Sequence, residues 1–186
     1  MPARPAISRR ERPRPGGWVA LALVALCGAL AVGASEPDDP GGYIVGFVRY
    51  VHWPAEDAAS AWTICVAGAG ATAQDARYAN ERVRGKPLAL RVVDDANALE
   101  GCHVLDLTRA DHATSTALLA RSHGRPVLSV GRGADFCTAG GLICLREPGG
   151  ERAFEVNLSA IKESGLGVSA RLLRLGAART AQDDPS

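Results

Sequence analysis

The chain has 186 residues, of which 47% are hydrophobic, and it carries 21 basic against 20 acidic side chains. Five arginines and one glutamate fall within residues 1–34, so the remainder has a net charge of −3. That remainder lacks the excess positive charge typical of nucleic-acid-binding proteins, which argues against a nucleic-acid partner. The length predicts one domain with a processed end.

Residues 1–34 have the organisation of a secretory signal. The five arginines precede Trp18–Val32, a run of 15 uncharged and mostly apolar residues, and Val32-Gly33-Ala34 offers small residues for a signal peptidase. A spanning helix needs about 20 apolar residues, so a retained anchor is the weaker interpretation. We expect cleavage near Ala34, a periplasmic protein without a membrane span, and a linker at residues 35–42.

Processing would leave four of the five cysteines, at Cys65, Cys102, Cys137 and Cys144. Four cysteines in an exported domain indicate two disulfides, for which three connectivities exist. Because loop-closure entropy favours near neighbours, we expect Cys65–Cys102 and Cys137–Cys144. The alternative is a four-cysteine zinc site, although the sequence has no Cys-x-x-Cys spacing of the kind used by zinc knuckles and thioredoxin-like redox pairs.

The segment after the linker is rich in aromatic residues. Apolar side chains recur at helical spacing from Tyr43 to Trp53, which predicts a helix that ends before Pro54. Several of these residues are β-branched, so the helix must be stabilised by packing. We interpret its aromatic stripe as a core-packing face. The alternative is a partner or ligand surface that includes His52 and Trp53.

Apolar runs then alternate with helical patterns. Strands are predicted at Ala61–Ala67, Leu88–Val93, Cys102–Leu107 and Val127–Val130. Helices are predicted at Thr72–Val83 and at His112–Ser122, the second capped by Asp111, with a loop or short helix at Asn97–Gly101.

The last third of the chain carries a hairpin signal. Leu142–Leu145 and Phe154–Leu158 flank a Pro-Gly-Gly turn, with the ring closed by Cys137 and Cys144 at its entry. Helical pieces follow at Leu158–Ser164 and Ser169–Leu175, and the polar tail Ala177–Ser186 is predicted to fray. These elements predict a single-domain α/β sandwich over residues 43–178, with a mostly parallel mixed sheet, flanking helices and two disulfides, followed by a disordered tail at 179–186.

No catalytic constellation can be assembled from the sequence. Gly131-Arg132-Gly133 lacks the spacing of a P-loop or a dinucleotide fingerprint, no helix is predicted after it, and we interpret it as a turn. The four histidines show no His-Glu-x-x-His spacing, and His103 is expected to be a core residue rather than a metal ligand. Ser129 and Ser169 lie in no nucleophile elbow. We predict a protein that is not an enzyme and has no cofactor or metal.

The segment Phe47–Pro54 resembles the F-x-x-F/Y-V-x-W-P opening helix of the YfiR family of periplasmic proteins. Seven further motifs follow in that family's order, and together they cover about residues 43–178. They are Ile64-Cys65-Val66, Gly85-Lys86-Pro87-Leu88, Cys102-His103-Val104-Leu105, Val127-Leu128-Ser129-Val130-Gly131, Gly140-Gly141-Leu142-Ile143, Phe154-Glu155-Val156-Asn157 and Ser169-Ala170-Arg171-Leu172-Leu173.

The resemblance implies a periplasmic α/β repressor of an inner-membrane diguanylate cyclase. It implies binding to the periplasmic sensor region of that cyclase, restraint of cyclic di-GMP synthesis and biofilm formation, and the ability of family members to form homodimers. It also implies that the four mature cysteines form two disulfides, which would make activity depend on periplasmic oxidation. Cys137 and Cys144 match the family's pattern directly, and Cys65 and Cys102 stand at its other two positions.

Aromatic and arginine side chains dominate interface energetics, so we name Tyr50, Trp53 and Arg171 as candidate partner contacts. Two other functions remain open at the level of sequence. One is a ligand-binding accessory of a sensor histidine kinase or transport system, in which a small solute enters a pocket near the hairpin. The other is a purely structural envelope protein.

Overall fold

The computed structural model describes residues 40–71, 78, 80–94, 99–146 and 153–179. All of them belong to one compact unit, 35–186. The predicted signal peptide, linker residues 35–39, residues 72–77 of a predicted helix, the hairpin turn 147–152 and tail residues 180–186 lie outside the described residues. Within the described ranges, no helix is long and apolar enough to cross a membrane.

Helices and strands alternate along the described chain. The helices are α1 (Pro40–Tyr50), α2 (His112–Ser122), α3 (Ala134–Thr138), α4 (Leu158–Ser164) and α5 (Ala170–Leu175). The strands are β1 (Val51–His52), β2 (Trp62–Gly68), β3 (Arg82–Val83), β4 (Lys86–Val92), β5 (Val104–Arg109), β6 (Leu128–Arg132), β7 (Ile143–Leu145), β8 (Phe154–Asn157), β9 (Gly167–Val168) and β10 (Ala177–Arg179). A 3₁₀ turn lies at Glu56–Ala58.

Eight of these strands form one sheet in the order β10-β8-β7-β6-β5-β2-β4-β3. The pairs β10–β8, β7–β6, β6–β5, β5–β2 and β2–β4 are parallel, while β7–β8 and β3–β4 are antiparallel. The short strands β1 and β9 pair separately and antiparallel. This mostly parallel mixed sheet with flanking helices confirms the fold class predicted from sequence.

The sheet is covered on both faces, as parallel sheets usually are. In β2, Ile64 and Val66 pack with the core that α1, α4 and α5 contribute to, whereas Cys65 and Ala67 pack with residues of α2 and α3. All four cysteines lie in this second cluster. We therefore call the α2/α3 side of the sheet the disulfide face.

The aromatic helix ends earlier than its sequence predicts. Its stripe packs inward, because Phe47 is 2% exposed and its ring lies 4.9 Å from that of Phe154. The helical prediction is correct through Tyr50 but wrong beyond it, since Val51 pairs with Val168 across β1 and β9. Val51 is β-branched, which favours extended backbone, and the Pro54 ring would clash with the carbonyl of Tyr50, four residues earlier, if the helix continued.

Four other sequence predictions need correction. The linker expected at residues 35–42 is wrong from Pro40 onward, because α1 begins there. The helix predicted at Thr72–Val83 is wrong at its end, because Arg82 and Val83 form β3 against β4. The tail predicted to fray from Ala177 instead begins with β10, whose backbone pairs with β8 at the sheet edge. The five residues that directly follow Gly133 form α3, although no helix was predicted there.

The glycines around α3 let one aromatic ring approach the sheet. A Cβ atom at Gly131 or at Gly141 would overlap the ring of Phe136, which packs between them. Gly131 lies in β6, and Gly133 precedes α3 with a φ of 80°, a conformation that favours glycine. The turn predicted at Gly131-Arg132-Gly133 is therefore a strand end followed by a helix start.

Gly131→Ala should lower the free energy of unfolding by about 1–3 kcal/mol, because the added methyl group forces the Phe136 ring off its site. Gly46→Ala is the matched control, since its Cβ meets nothing within 4 Å inside α1 and should raise stability by up to about 1 kcal/mol. Urea unfolding of both variants with intact disulfides measures the difference. Equal midpoints would contradict the packing argument.

Candidate functional site

Tyr50 and Arg171, two of the three predicted contact residues, lie together. The guanidinium carbon of Arg171 lies 5.6 Å from the centre of the Tyr50 ring. Tyr50 is half-buried and Arg171 is exposed. Leu175 follows Arg171 by one helical turn and is 55% exposed. Among the described residues, the other exposed large hydrophobic side chain is Val92, which is 41% exposed. We call Tyr50, Arg171 and Leu175 the α5 patch.

Backbone hydrogen bonds fix the two sides of the α5 patch relative to each other. The N–H of Ser169 donates to the carbonyl oxygen of Tyr50 over 2.9 Å. The Ser169 side chain also caps α5 by accepting from the N–H of Leu172. Together with the pairing of β1 and β9, these bonds make the ends of α1 and α5 a preformed surface.

Trp53, the third predicted contact, lies below the surface and is 6% exposed. Its ring lies 4.9 Å from that of Trp62, and its indole N–H donates to the carbonyl oxygen of His103 over 3.2 Å. It also lines a cavity of about 250 Å³ together with Cys102 and Arg125. The structure therefore makes Trp53 a packing residue at the rim of a cavity.

Two cations surround the Trp62 ring, a feature that sequence reasoning missed. The guanidinium carbon of Arg84 lies 4.5 Å from the ring centre, and Lys86 Nζ lies 5.2 Å from it. Arg84 forms an ion pair with Glu56 over 3.4 Å and donates to the Val51 carbonyl oxygen over 2.9 Å. The signal in the sequence was the pair of cations that flank Gly85 in a turn before a strand.

His103 is held as a neutral imidazole in this cluster. Its Nδ1 accepts the backbone N–H of Thr63 over 3.0 Å, which requires that nitrogen to be unprotonated. Burial lowers the pKa of His103 below its ordinary value, and the positive charge of Lys86 lowers it further. These contacts fit the structural role predicted from sequence.

Both predicted cysteine pairs are joined in the structure. Cys65 in β2 pairs with Cys102, which lies just before β5, and Cys137 in α3 pairs with Cys144 in β7. The Cα–Cα distance is 5.8 Å in each pair, within the normal range for a disulfide. Among the residues that the structure describes, no group of three or more His, Cys, Asp or Glu side chains is arranged to hold a metal ion.

The sequence analysis also missed Arg91. This residue of β4 lies directly across from Cys65 in the parallel register and donates hydrogen bonds to the sulfur atoms of both Cys65 and Cys102. Its position depends on the register of β4 against β2, which no local sequence signal specifies.

Comparison with known protein families matches residues 41–177 to the family described as YfiR/HmsC-like. The chain belongs to the YfiR/HmsC-like family. The match begins in α1 and ends in β10, so it includes both disulfides and the whole α5 patch. Proteins of the YfiR/HmsC-like family are periplasmic regulators rather than enzymes, and membership supports a general role in regulating a diguanylate cyclase.

His103 should make stability fall as the pH falls. Because its pKa is lowered in the folded protein, the unfolded chain binds more protons below pH 6.5, and the free energy of unfolding decreases there. His103→Gln keeps an acceptor for Thr63 and should flatten this dependence between about pH 7.5 and 5.5 in urea unfolding experiments. His112→Gln, at the exposed start of α2, controls for loss of a histidine elsewhere. An unchanged slope in His103→Gln would contradict the assignment.

Proposed function

We propose that the protein is exported, cleaved near Ala34, and restrains an inner-membrane diguanylate cyclase by binding its periplasmic sensor region. The observation that carries this proposal is the YfiR/HmsC-like match over residues 41–177. A regulator of this kind acts by binding one conformation of the sensor more tightly than another. Such binding needs a preformed surface, because ordering a mobile surface reduces affinity.

The α5 patch has the chemistry of a contact surface for that sensor region. It combines a half-buried tyrosine at the end of α1 with an exposed arginine and an exposed leucine on the short capped helix α5. Tyrosine and arginine are enriched at interface hot spots, where truncation costs more than about 2 kcal/mol. The antiparallel pairing of β1 with β9 joins the backbone segments next to Tyr50 and α5 before the partner arrives.

Repression depends on the disulfides in this proposal, because they fix α3 and the segment before β5 to the strands of the sheet. The helix α3 has five residues, too few to be stable alone, and the Cys137–Cys144 bond attaches it to β7. β7 pairs with β8, and β8 pairs with β10, the strand that follows α5. On the chain-entropy model, the short ring contributes about 2.5 kcal/mol and the Cys65–Cys102 ring about 4 kcal/mol.

One observation favours a second candidate, a solute-binding accessory of a sensor kinase or transport system. A cavity of about 320 Å³ lies at the carboxyl ends of β5 and β6, between α2 and α3. Thr108, Arg132 and Asp135 line it. Ligands of parallel α/β sheets commonly bind at this edge.

Deletion of the gene should raise cellular cyclic di-GMP, and the wild-type gene should restore the original level. A variant with serine at all four mature cysteines should fail to restore it, because α3 and the segment before β5 are no longer linked to the sheet by disulfides. Immunoblotting of periplasmic fractions controls for the amount of each protein. No change on deletion would oppose cyclase restraint and favour the solute-binding accessory. Full restoration by the serine variant would remove the redox dependence while leaving cyclase restraint in place.

Tyr50→Ala and Arg171→Ala should each weaken binding to the purified sensor region by about tenfold or more, since each removes a hot-spot type of contact. Arg121→Ala is the matched control, because Arg121 is an exposed arginine on α2, across the sheet from α5. Titration calorimetry measures the three affinities. Arg121→Ala should bind with the wild-type affinity. If Arg171→Ala loses no more affinity than Arg121→Ala, the α5 patch is not the contact surface.

A further inference from the structure

Arg91 bridges the two sulfur atoms of the Cys65–Cys102 disulfide. Its Nη2 lies 3.4 Å from Cys65 Sγ and 3.1 Å from Cys102 Sγ. The same nitrogen donates to the carbonyl oxygen of Glu100, which orients the guanidinium toward the bond. Since a guanidinium does not lose its proton in proteins, a permanent positive charge lies beside both sulfurs.

The Cys137–Cys144 disulfide has a different electrostatic neighbour. Cys144 of β7 is the antiparallel partner of Glu155 in β8, and directly opposed residues place their Cβ atoms about 5 Å apart on the same face. Glu155 is 6% exposed and forms an ion pair with Arg146. Near Cys144 the charges of Glu155 and Arg146 offset each other, whereas the Arg91 guanidinium beside Cys65 and Cys102 favours a thiolate.

The two disulfides also differ in access to an external thiol. Cys102 lines the cavity of about 250 Å³, together with Trp53, His103 and Arg125. Cys102 is 6% exposed, whereas its partner Cys65 is 0% exposed and Cys137 and Cys144 are 2% and 1% exposed. Cys102 is therefore the cysteine that an external thiolate could approach, through this cavity, and the exposed Arg125 that also lines it would attract the negative charge.

We propose that Cys65–Cys102 is a thiol–disulfide exchange site and that Arg91 is its positioning residue, which stabilises the thiolates released by exchange. The thiolate of an incoming dithiol attacks Cys102 Sγ, a mixed disulfide forms, and Cys65 leaves as a thiolate. The second thiol of the dithiol, once deprotonated, attacks the sulfur that the dithiol contributed to the mixed disulfide. This closes the dithiol into a cyclic disulfide and releases the Cys102 thiolate. The dithiol loses two electrons and becomes a disulfide, and the two cysteines gain them.

One guanidinium serves both steps because it reaches both sulfurs. The proposed function uses the two disulfides as structural links, whereas the exchange reaction is a chemical property of one of them in this chain alone. It is tested on the purified chain, so its outcome is separate from that of the proposed function.

The oxidised chain is exposed to dithiothreitol at neutral pH, alkylated at intervals, and each cysteine is quantified by mass spectrometry. Cys65–Cys102 should open first, and Arg91→Gln should slow its opening by about three- to tenfold, because the leaving thiolate loses its cation. Arg82→Gln is the matched control, since Arg82 donates to a backbone carbonyl, that of Gly85, and should keep the wild-type rate. Opening of Cys137–Cys144 first, or an unchanged rate in Arg91→Gln, would overturn the proposal.

A second measurement separates thiolate stabilisation from a merely structural role. In a Cys65→Ser background, the alkylation rate of Cys102 is measured across a pH series. Arg91→Gln should move the midpoint of this profile upward by about one pH unit, and Arg91→Lys should restore part of the shift. A profile that stays in place shows that Arg91 only supports the fold, and the proposal fails.

Discussion

The fold depends on the burial of β2 on both faces of the sheet. β2 is hydrogen-bonded to β4 on one side and β5 on the other, both in parallel register. Its alternating side chains supply both layers, with Ile64 and Val66 in one core and Cys65 and Ala67 in the other. Since side chains alternate with a period of two, a shift of one residue would exchange the two sets, so both cores and the Cys65–Cys102 bond specify the same register.

That alternation separates the proposed contact surface from the disulfides. The α5 patch lies on the side of the sheet covered by α1, α4 and α5, whereas all four cysteines lie on the disulfide face. A change of redox state can therefore reach the α5 patch only through the sheet or around its edge. Cores are closely packed and transmit strain, which makes such coupling physically reasonable over one sheet thickness.

The sequence predicted those features that depend on local periodicity and chain order. The helix His112–Ser122 has the predicted bounds and its Asp111 cap, and the alternation of strands and helices was sufficient for the fold class. Features that depend on neighbours distant in the chain were missed. β1 forms because it pairs with β9. α3 packs on the sheet because the Phe136 ring fits between two glycines. Arg91 reaches the sulfur atoms because β4 pairs with β2. Trp53 was named for its residue type, and tryptophan is common both in cores and at interfaces, so its type alone did not decide between the two.

The two disulfides offer different routes from the disulfide face to the α5 patch. From Cys137–Cys144 the route runs along the sheet edge through β7, β8 and β10. From Cys65–Cys102 it is shorter, because His103 follows Cys102 directly and accepts a hydrogen bond from the Trp53 indole. Trp53 follows β1, whose pairing with β9 places Ser169 against Tyr50. Opening Cys65–Cys102 would release the segment that anchors Trp53, so in the proposed redox dependence the bond beside Arg91 is the one whose loss would act more directly on the α5 patch.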